Sequence, residues 1–431
     1  MSTVCSATRG VFRGWEAAFL SNAFVRLALV PDIGGRVMAY DLGDYPFLFV
    51  DPTLAGQLFS AEENQGDGSL GAWKNYGGDK TWPAPQGWAT DEEWHGPPDP
   101  ILDTGRYTLD ALSVTEGAAH VRVSSPADPR SGLQIVRAFT LRPDTSRVSL
   151  RLTFRNISTR TVRWSIWDVV QLRAERANAD GTLEPETGCI ITAPAHPQSA
   201  FPRQYAVLFG ETDNPQWRVR PDGLFEAPYL WQIGKVALDS TAGWIAFANR
   251  AAGAAFTTTF DYQAGAAYPD GGASVEIWTV GAGQVGNLNY EHSGIYLMEA
   301  EVLSPFHTIQ PGEEAPFTLV WGACRCLGAV VDVTPAGALT QPLTAEVSAD
   351  GRISLRAEGG VFDAGVLRLR WLDRQGTALA ETPLGDVNPL SAVSVDHIAS
   401  VPSGATTAEL SVVRPDGEAQ HWAAIEVSQE R

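Results

Sequence analysis

Two glutamates separated by one residue, in the segment 294–303 (GIYLMEAEVL), are the side chains best suited to acid/base chemistry. Successive side chains of a strand point to opposite faces, so Glu299 and Glu301 share a face, about 7 Å apart along the chain. Leu297 and Leu303 continue that face and favour its burial. Neighbouring buried carboxyls shift each other's pKa values apart, which suits a general acid or base. The alternative is that both carboxylates are solvated.

The segment 73–88 (WKNYGGDKTWPAPQGW) combines aromatic rings with amides and charges. Its glycine pair permits positive φ angles, and Pro83 and Pro85 disfavour both helix and central strand, so we expect a rigid loop. Aromatic faces beside polar groups suit a sugar, whose C–H faces stack on rings while its hydroxyls need polar partners. The candidate sugar-binding residues here are Trp73, Asn75, Tyr76, Asp79, Lys80, Trp82 and Gln86.

Lysine is rare in this chain, since only Lys74, Lys80 and Lys235 occur among 31 basic residues. An ammonium group, unlike a guanidinium, is compact and shifts its pKa readily when it is desolvated. We therefore predict a catalytic role for Lys80 together with Asp79, whereas Lys74 fits an ordinary solvated charge better. The same solvated state is the alternative for Lys80.

Three further side chains are candidates for contacting a substrate. Arg36 follows the first predicted turn and suits a hydroxyl or a sugar carboxylate, the alternative being a pair with a surface acid. His95 and His292 lie in loops near the two segments above, and a hydrogen-bonded loop histidine is the alternative for each. No metal site is predicted, because His95 beside acidic residues fits no established ligand spacing. No cofactor is predicted either, since nucleotide-binding and hydrolase motifs are absent from the sequence.

Composition excludes several classes of function. The formal charge of −19 and a pI near 4.8 disfavour nucleic acid and anionic membrane surfaces as partners. The N-terminal sequence lacks the apolar core of a signal peptide, and no apolar run is long enough to span a bilayer. The four cysteines are scattered, as in a protein with reduced thiols. We expect a cytoplasmic protein, a monomer or a homodimer, whose partner is a small-molecule carbohydrate.

Period-2 alternation between turn residues predicts an antiparallel all-β chain. The clearest strands lie in 107–117 (YTLDALSVTEG), 133–143 (LQIVRAFTLRP) and 147–156 (RVSLRLTFRN). The character changes after Cys326, where short strands follow one another without a tryptophan-rich segment. We predict a large domain over residues 1–327, which carries the sugar site, and a small immunoglobulin-like β-sandwich over residues 328–431.

The order of these elements resembles the galactose mutarotase-like (aldose 1-epimerase) superfamily. The likeness rests on residues 25–40 (VRLALVPDIGGRVMAY), 294–306 (GIYLMEAEVLSPF) and 309–322 (IQPGEEAPFTLVWG). Residues 75–86 (NYGGDKTWPAPQ) are similar to an uncharacterised branch of that superfamily. The resemblance covers roughly residues 15–325 and implies a large antiparallel β-supersandwich with a sugar in its concave face.

The resemblance also implies roles for individual residues. Glu299 would be the general base that removes the proton of the anomeric hydroxyl, and Glu301 would replace a glutamine of the family. The family's acid is a histidine on the strand that here reads TVRWSIWDVVQL, where no histidine occurs. Trp167 and Asp168 stand near that place, and we expect them to contact the substrate. Asn75 and Lys80 loosely replace the family's sugar-binding Asn–Arg pair. The candidates for the acid are Lys80, Asp79, Asp168 and His95.

These observations predict an epimerase or mutarotase-like enzyme that acts on an aldose or a sugar acid by acid/base catalysis. A glycosidase or an oligosaccharide or polysaccharide lyase on the same scaffold is one alternative, because fold does not fix function. A carbohydrate-binding protein without catalysis is the other.

Overall fold

A computed structural model describes residues 4–87, 89–90, 92–285, 288–291, 293–348 and 352–427. Nearly all regular structure in these ranges is β-strand, as predicted. One short helix, α1 (Ala61–Gln65), begins after Ser60, whose side chain accepts a hydrogen bond from Glu63 N. Single 3₁₀ turns occur at Pro31–Ile33 and Leu70–Ala72. No helix in the described ranges has the length and apolar character needed to cross a membrane.

The first 325 residues contain twenty-six described strands. The first half, in chain order, is β1 (Ser6–Phe12), β2 (Trp15–Ser21), β3 (Val25–Val30), β4 (Arg36–Leu42), β5 (Tyr45–Pro46), β6 (Asp79–Ala84), β7 (Thr108–Thr115), β8 (Ala118–Ser124), β9 (Leu133–Leu141), β10 (Val148–Asn156), β11 (Val162–Arg173), β12 (Glu175–Ala177) and β13 (Leu183–Pro185). The second half is β14 (Cys189–Pro194), β15 (Ala206–Gly210), β16 (Arg218–Val219), β17 (Leu224–Pro228), β18 (Gly234–Leu238), β19 (Trp244–Asn249), β20 (Ala254–Phe260), β21 (Val275–Thr279), β22 (Gln284–Val285), β23 (Leu288–Asn289), β24 (Leu297–Leu303), β25 (His307–Ile309) and β26 (Glu314–Arg325).

Two large antiparallel sheets pack face to face. The twelve-stranded sheet has the order β1-β2-β3-β4-β6-β11-β24-β21-β18-β15, with β5 and β25 attached at its sides. The ten-stranded sheet has the order β16-β17-β14-β19-β20-β26-β10-β9-β8-β7. Tyr40 of the first sheet meets Phe256 and Trp321 of the second, with ring centroids 5.8 and 5.6 Å away. The prediction of a large antiparallel double-sheet fold is therefore confirmed.

The strands that follow Arg325 form two four-stranded antiparallel sheets with a core of their own. They are β27 (Asp332–Thr334), β28 (Gly337–Val347), β29 (Ile353–Val361), β30 (Gly365–Leu372), β31 (Ala378–Val387), β32 (Val393–Ala399), β33 (Thr407–Val413) and β34 (Ala419–Glu426). Their orders are β27-β28-β29-β32 and β31-β30-β33-β34. Ser146 N donates to Phe362 O at 2.7 Å and Arg147 pairs with Asp363 at 2.7 Å, which ties this sandwich to the ten-stranded sheet. The predicted boundary at residue 328 falls between β26 and β27.

One local expectation was wrong. The loop predicted over residues 73–88 includes the strand β6, which lies inside the twelve-stranded sheet between β4 and β11. Pro83 is compatible with this position because β4 pairs with β6 only at Asp79, which leaves the rest of β6 with β11 as its one ladder partner. Proline is tolerated on a strand side that makes no ladder bonds.

A charged cluster fills the space between the two sheets beneath β6 and β11. Arg137 of the ten-stranded sheet is fully buried and donates to the Asp79 carboxylate, to Gly35 O at 2.7 Å and to Asp79 O at 3.3 Å. Asp168 lies 4.0 Å from the same guanidinium. Burial raises the pKa of both aspartates, and the neighbouring Asp79 carboxyl raises that of Asp168 further. Arg137 is the cation that makes this interior carboxyl pair tolerable.

We predict that Arg137→Met lowers the free energy of unfolding by about 3–5 kcal/mol, because it leaves buried carboxyls without their cation. The measurement is urea denaturation at neutral pH. Arg122→Met is the matched control, since Arg122 is about half exposed on the adjacent strand and its 3.6 Å pair with Asp110 is worth at most about 1 kcal/mol. Equal losses in the two variants would contradict this account of Arg137.

Candidate functional site

Cross-strand register aligns four side chains in one row on the outer face of the twelve-stranded sheet. Lys235 of β18 stands opposite Trp278 of β21, Trp278 opposite Glu299 of β24, and Glu299 opposite Gln171 of β11. Directly paired residues of neighbouring strands share a face. This row, which we call the first row, therefore presents an ammonium, an indole, a carboxylate and an amide side by side.

A second row lies two residues further along the same strands. Glu276 of β21 is paired with Glu301 of β24, Glu301 with Val169 of β11, and Val169 with Lys80 of β6. Glu299 and Glu301 thus occupy one face of β24, as the alternation predicts. The third row pairs Trp167 with Trp82. Basic, acidic and aromatic side chains from five strands meet on this face.

The face forms the floor of an open cavity, where about 670 Å³ of empty space includes the solvent at its mouth. Four indoles dominate its lining, and the polar groups among them are three amides, one ammonium, one carboxylate and the phenol of Tyr290. The lining residues are Leu70, Trp73, Asn75, Trp82, Gln86, Pro97, Trp167, Gln171, Phe209, Lys235, Trp278, Val280, Tyr290 and Glu299.

Asp103 fixes the orientation of two of these indoles. Its Oδ2 accepts a hydrogen bond from Trp73 Nε1 at 2.7 Å, and its Oδ1 accepts one from Trp82 Nε1 at 3.1 Å. Arg36 is fully buried behind it, donates to Oδ1 as well and holds Gly77 O at 3.0 Å. A buried carboxylate needs such partners. The aromatic wall of the cavity is therefore preorganised by an ion pair that no ligand has to displace.

Glu299 is held by two donors on a single oxygen. Lys80 Nζ lies 3.0 Å and Gln171 Nε2 lies 2.7 Å from Glu299 Oε1. No described side chain donates to Oε2, and Glu299 retains 8% of its surface exposed in the cavity lining. Burial lowers the pKa of Lys80, and the adjacent Glu299 carboxylate opposes this effect. The free oxygen of Glu299 is thus available to a ligand.

Lys235 joins the two rows. Its Nζ lies 2.7 Å from Glu276 Oε2 and 3.0 Å from Glu301 Oε2, and 4.2 Å from the centre of the Trp167 ring. Trp167 Nε1 donates to the same Glu301 oxygen at 2.8 Å. Burial raises the pKa of Glu276 to about 7 and that of Glu301 to about 8, although Lys235 opposes both shifts. The two carboxylates together raise the pKa of Lys235.

The structure brings together part of the predicted site. Trp73, Asn75, Trp82, Gln86, Trp167 and Glu299 line the cavity, and Lys80 and Glu301 contact its side chains from below.

Four predicted residues lie elsewhere. Asp79 and Asp168 face the interior between the sheets, because each is adjacent in sequence to a residue of the cavity face. Arg36 supports Asp103 rather than facing the cavity. Tyr76 is 1% exposed and packs edge-on against Trp15 at 5.9 Å.

Neither of the two predicted histidines, His95 and His292, is among the described residues of the cavity lining. His95 is outside the cavity lining, and its Nδ1 lies 2.8 Å from Arg130 Nη1. His292 lies outside the described residues. Among the residues that are described, no group of three or more His, Cys, Asp or Glu side chains could hold a metal ion.

Five members of the site were not among the predicted residues: Asp103, Gln171, Lys235, Trp278 and Tyr290. The rarity of lysine was a usable signal, because two of the three lysines belong to the site. That signal drew attention to Lys80 alone, since Lys235 lies in a short strand without a motif around it.

Comparisons with known proteins leave the chemistry of the site open. A family model described as a domain of unknown function (DUF4380) matches residues 16–178. A galactose mutarotase-like protein from Clostridium acetobutylicum is 10% identical, with a TM-score of 0.46 over 75% of this chain and 99% of its own. A galactose mutarotase-like protein from Lactobacillus casei is 11% identical (TM-score 0.42, 71% of this chain and 99% of that one). A galactose mutarotase related enzyme from Lactobacillus acidophilus is 9% identical (0.43, 71% and 96%).

We predict that Glu301→Gln flattens the pH dependence of stability. The pKa of Glu301 is about 8 in the folded protein and 4.5 in a model compound. Between these values the folded state keeps a proton that the unfolded state has lost, so wild-type stability falls as the pH rises through this window. The raised pKa of Lys235 acts only above that range. The variant should lose at least about 1.4 kcal/mol less than wild type between pH 5 and 8.5, the equivalent of one pKa unit.

Urea denaturation across this pH range is the measurement. Glu358→Gln is the control, because Glu358 is exposed in the C-terminal sandwich. A Glu301→Gln slope that matches wild type would show that Glu301 does not hold a proton in the folded state.

Proposed function

We propose that the cavity binds a neutral aldose and that Glu299 acts as the general base in the interconversion of its anomers. The observation that carries the proposal is the arrangement of Glu299. It is the one carboxylate among the described residues of the cavity lining, and only its Oε1 is used by neighbouring side chains.

The aromatic lining supports a sugar as the ligand. A pyranose presents C–H groups on its faces and hydroxyls around its edge, so it needs flat apolar surfaces and polar groups in the same cavity. Trp73, Trp82, Trp167 and Trp278 supply the surfaces, and the ring centroid of Trp82 lies 5.9 Å from that of Trp73 and 5.4 Å from that of Trp167. The amides of Asn75, Gln86 and Gln171 supply donors and acceptors at the edge.

The charge pattern supports a neutral sugar over a sugar acid. Lys80 is paired with Glu299, and Lys235 with Glu276 and Glu301, so both ammonium groups already have carboxyl partners. No arginine is among the described residues of the lining. A carboxylate or phosphate on the ligand would enter the cavity without an unpaired cation to compensate its desolvation. A lyase acting on uronates would require such a cation.

The position of Glu299 supports base catalysis. Lys80 and Gln171 fix the carboxylate from one side, which leaves Oε2 to accept the proton of an anomeric hydroxyl at hydrogen-bond distance. Transfer of that proton assists opening of the ring. Holding the base in place lowers the entropic part of the barrier.

We predict that Glu299→Gln reduces kcat for anomer exchange about 100-fold or more while changing sugar affinity little, because the amide keeps the shape and loses the base. The measurement is magnetisation-transfer NMR on a panel of neutral aldoses at their anomeric equilibrium. Thermal-shift titration with the same sugars reports binding separately. Glu358→Gln serves as the matched surface control.

Two outcomes would contradict the proposal. Binding of a neutral aldose without exchange by the wild type would indicate a carbohydrate-binding protein. Selective binding of uronates would instead favour chemistry on sugar acids, including elimination.

A further inference from the structure

Lys235 and Glu299 flank an indole in the first row. Trp278 is paired with both, so the three residues occupy adjacent strands in the order Lys235, Trp278, Glu299. Neighbouring strands are about 4.8 Å apart, which places the outer two backbones about 10 Å from each other. All three side chains line the cavity, and Trp278 is half-buried between them. A pyranose ring on that indole would have an ammonium on one side and a carboxylate on the other.

The Lys235 ammonium contacts two carboxyl groups beneath the cavity and has one N–H group left to donate to a ligand. An ammonium has three N–H groups. Glu276 and Glu301 accept two of them at 2.7 and 3.0 Å, and within the described part of the chain no third oxygen or nitrogen partner is found. Lys235 is 7% exposed and lies in the cavity lining. The third N–H is therefore the one polar contact that this side chain can offer to a ligand.

We infer that Lys235 is the general acid of the site and delivers a proton to the ring oxygen of the bound sugar, opposite Glu299. This inference rests on the proposed function and names the partner that the reaction requires. The acids expected from the sequence do not fill this role. Lys80 lies outside the lining, and its ammonium is bound to Glu299 Oε1. Asp79 and Asp168 lie on the other face of the sheet, and His95 is outside the lining.

The step balances without a further reactant. Glu299 Oε2 takes the proton of the anomeric hydroxyl, the carbonyl bond forms at C1, and the C1–O5 bond breaks with its electron pair passing to O5. O5 takes a proton from Lys235, which becomes a neutral amine. After rotation about C1–C2 the reverse transfers close the ring on the other face of the carbonyl, return the proton to Lys235 and release that of Glu299.

The surroundings of Lys235 favour its protonated form, which a general acid needs at the start of the reaction. Burial would lower the pKa of this group, but the attraction of Glu276, and of Glu301 and Glu299 where they are ionised, raises it overall, so the resting side chain is an ammonium. Trp167 covers the same ammonium at 4.2 Å and holds Glu301 through its indole N–H. The alkoxide that forms when the ring opens is a strong enough base to take the proton.

Lys235→Met is the first test, with Lys74→Met as the matched control, because Lys74 lies over the Phe59 ring and outside the cavity lining. We expect Lys235→Met to lower kcat for anomer exchange about 100-fold or more with KM changed less than about threefold, and Lys74→Met to match wild type. Lys235→Ala should recover part of its rate in added methylammonium, a response that a merely structural role would not produce. If Lys235→Met does not fold, because Glu276 is left buried without its cation, the double variant Lys235→Met/Glu276→Gln replaces it in the same assay, since the second change removes that carboxylate.

The outcomes separate this inference from the proposed function. If wild type and Lys74→Met exchange no aldose anomers, the proposed function fails and the role of Lys235 fails with it. If wild type exchanges anomers and Glu299→Gln does not, exchange in a folded Lys235→Met variant at a rate close to wild type overturns the role of Lys235 alone. A folded Lys235→Ala variant that ignores methylammonium overturns it as well.

Discussion

The site depends on one interaction, the pairing of buried ammonium groups with carboxyl groups on the cavity face of the twelve-stranded sheet. Removing a charged group from water costs several kcal/mol, so Lys80 and Lys235 can lie beneath a cavity only where carboxyl groups meet them. Glu299, Glu276 and Glu301 provide these partners at 2.7–3.0 Å. The same low-polarity surroundings that make the pairs necessary strengthen their effect on a ligand bound above them.

The strands of this sheet serve two purposes because their side chains alternate. On β6, Lys80 faces the cavity whereas its neighbour Asp79 faces the interior and binds Arg137 of the opposite sheet. On β11, Trp167 and Asp168 divide in the same way. The interior network of Arg137, Asp79 and Asp168 connects the two sheets. The network on the other face, which includes Lys80 and Glu299, lines or supports the cavity. The rigidity of the first network supports the geometry of the second, since both share backbone.

Local patterns in the sequence were sufficient for the all-β fold and for the common face of Glu299 and Glu301, because strand alternation needs only neighbouring residues. They did not show which face of β6 or β11 is the cavity side, so Asp79 and Asp168 entered the predicted site with Lys80 and Trp167. Register between distant strands decides that question, and it also brings Lys235 to the site. A single sequence carries no signal for such pairings, since long-range register depends on the whole sheet.

A crystal structure of the protein soaked with the neutral aldose that gives the largest thermal shift would show directly which side chains contact the reacting atoms. We expect a pyranose ring over Trp278, its anomeric hydroxyl about 2.6–3.2 Å from Glu299 Oε2 and its ring oxygen within similar reach of Lys235 Nζ. A sugar bound elsewhere, or bound here with its anomeric centre turned away from Glu299, would rule out the role of Glu299 as the base.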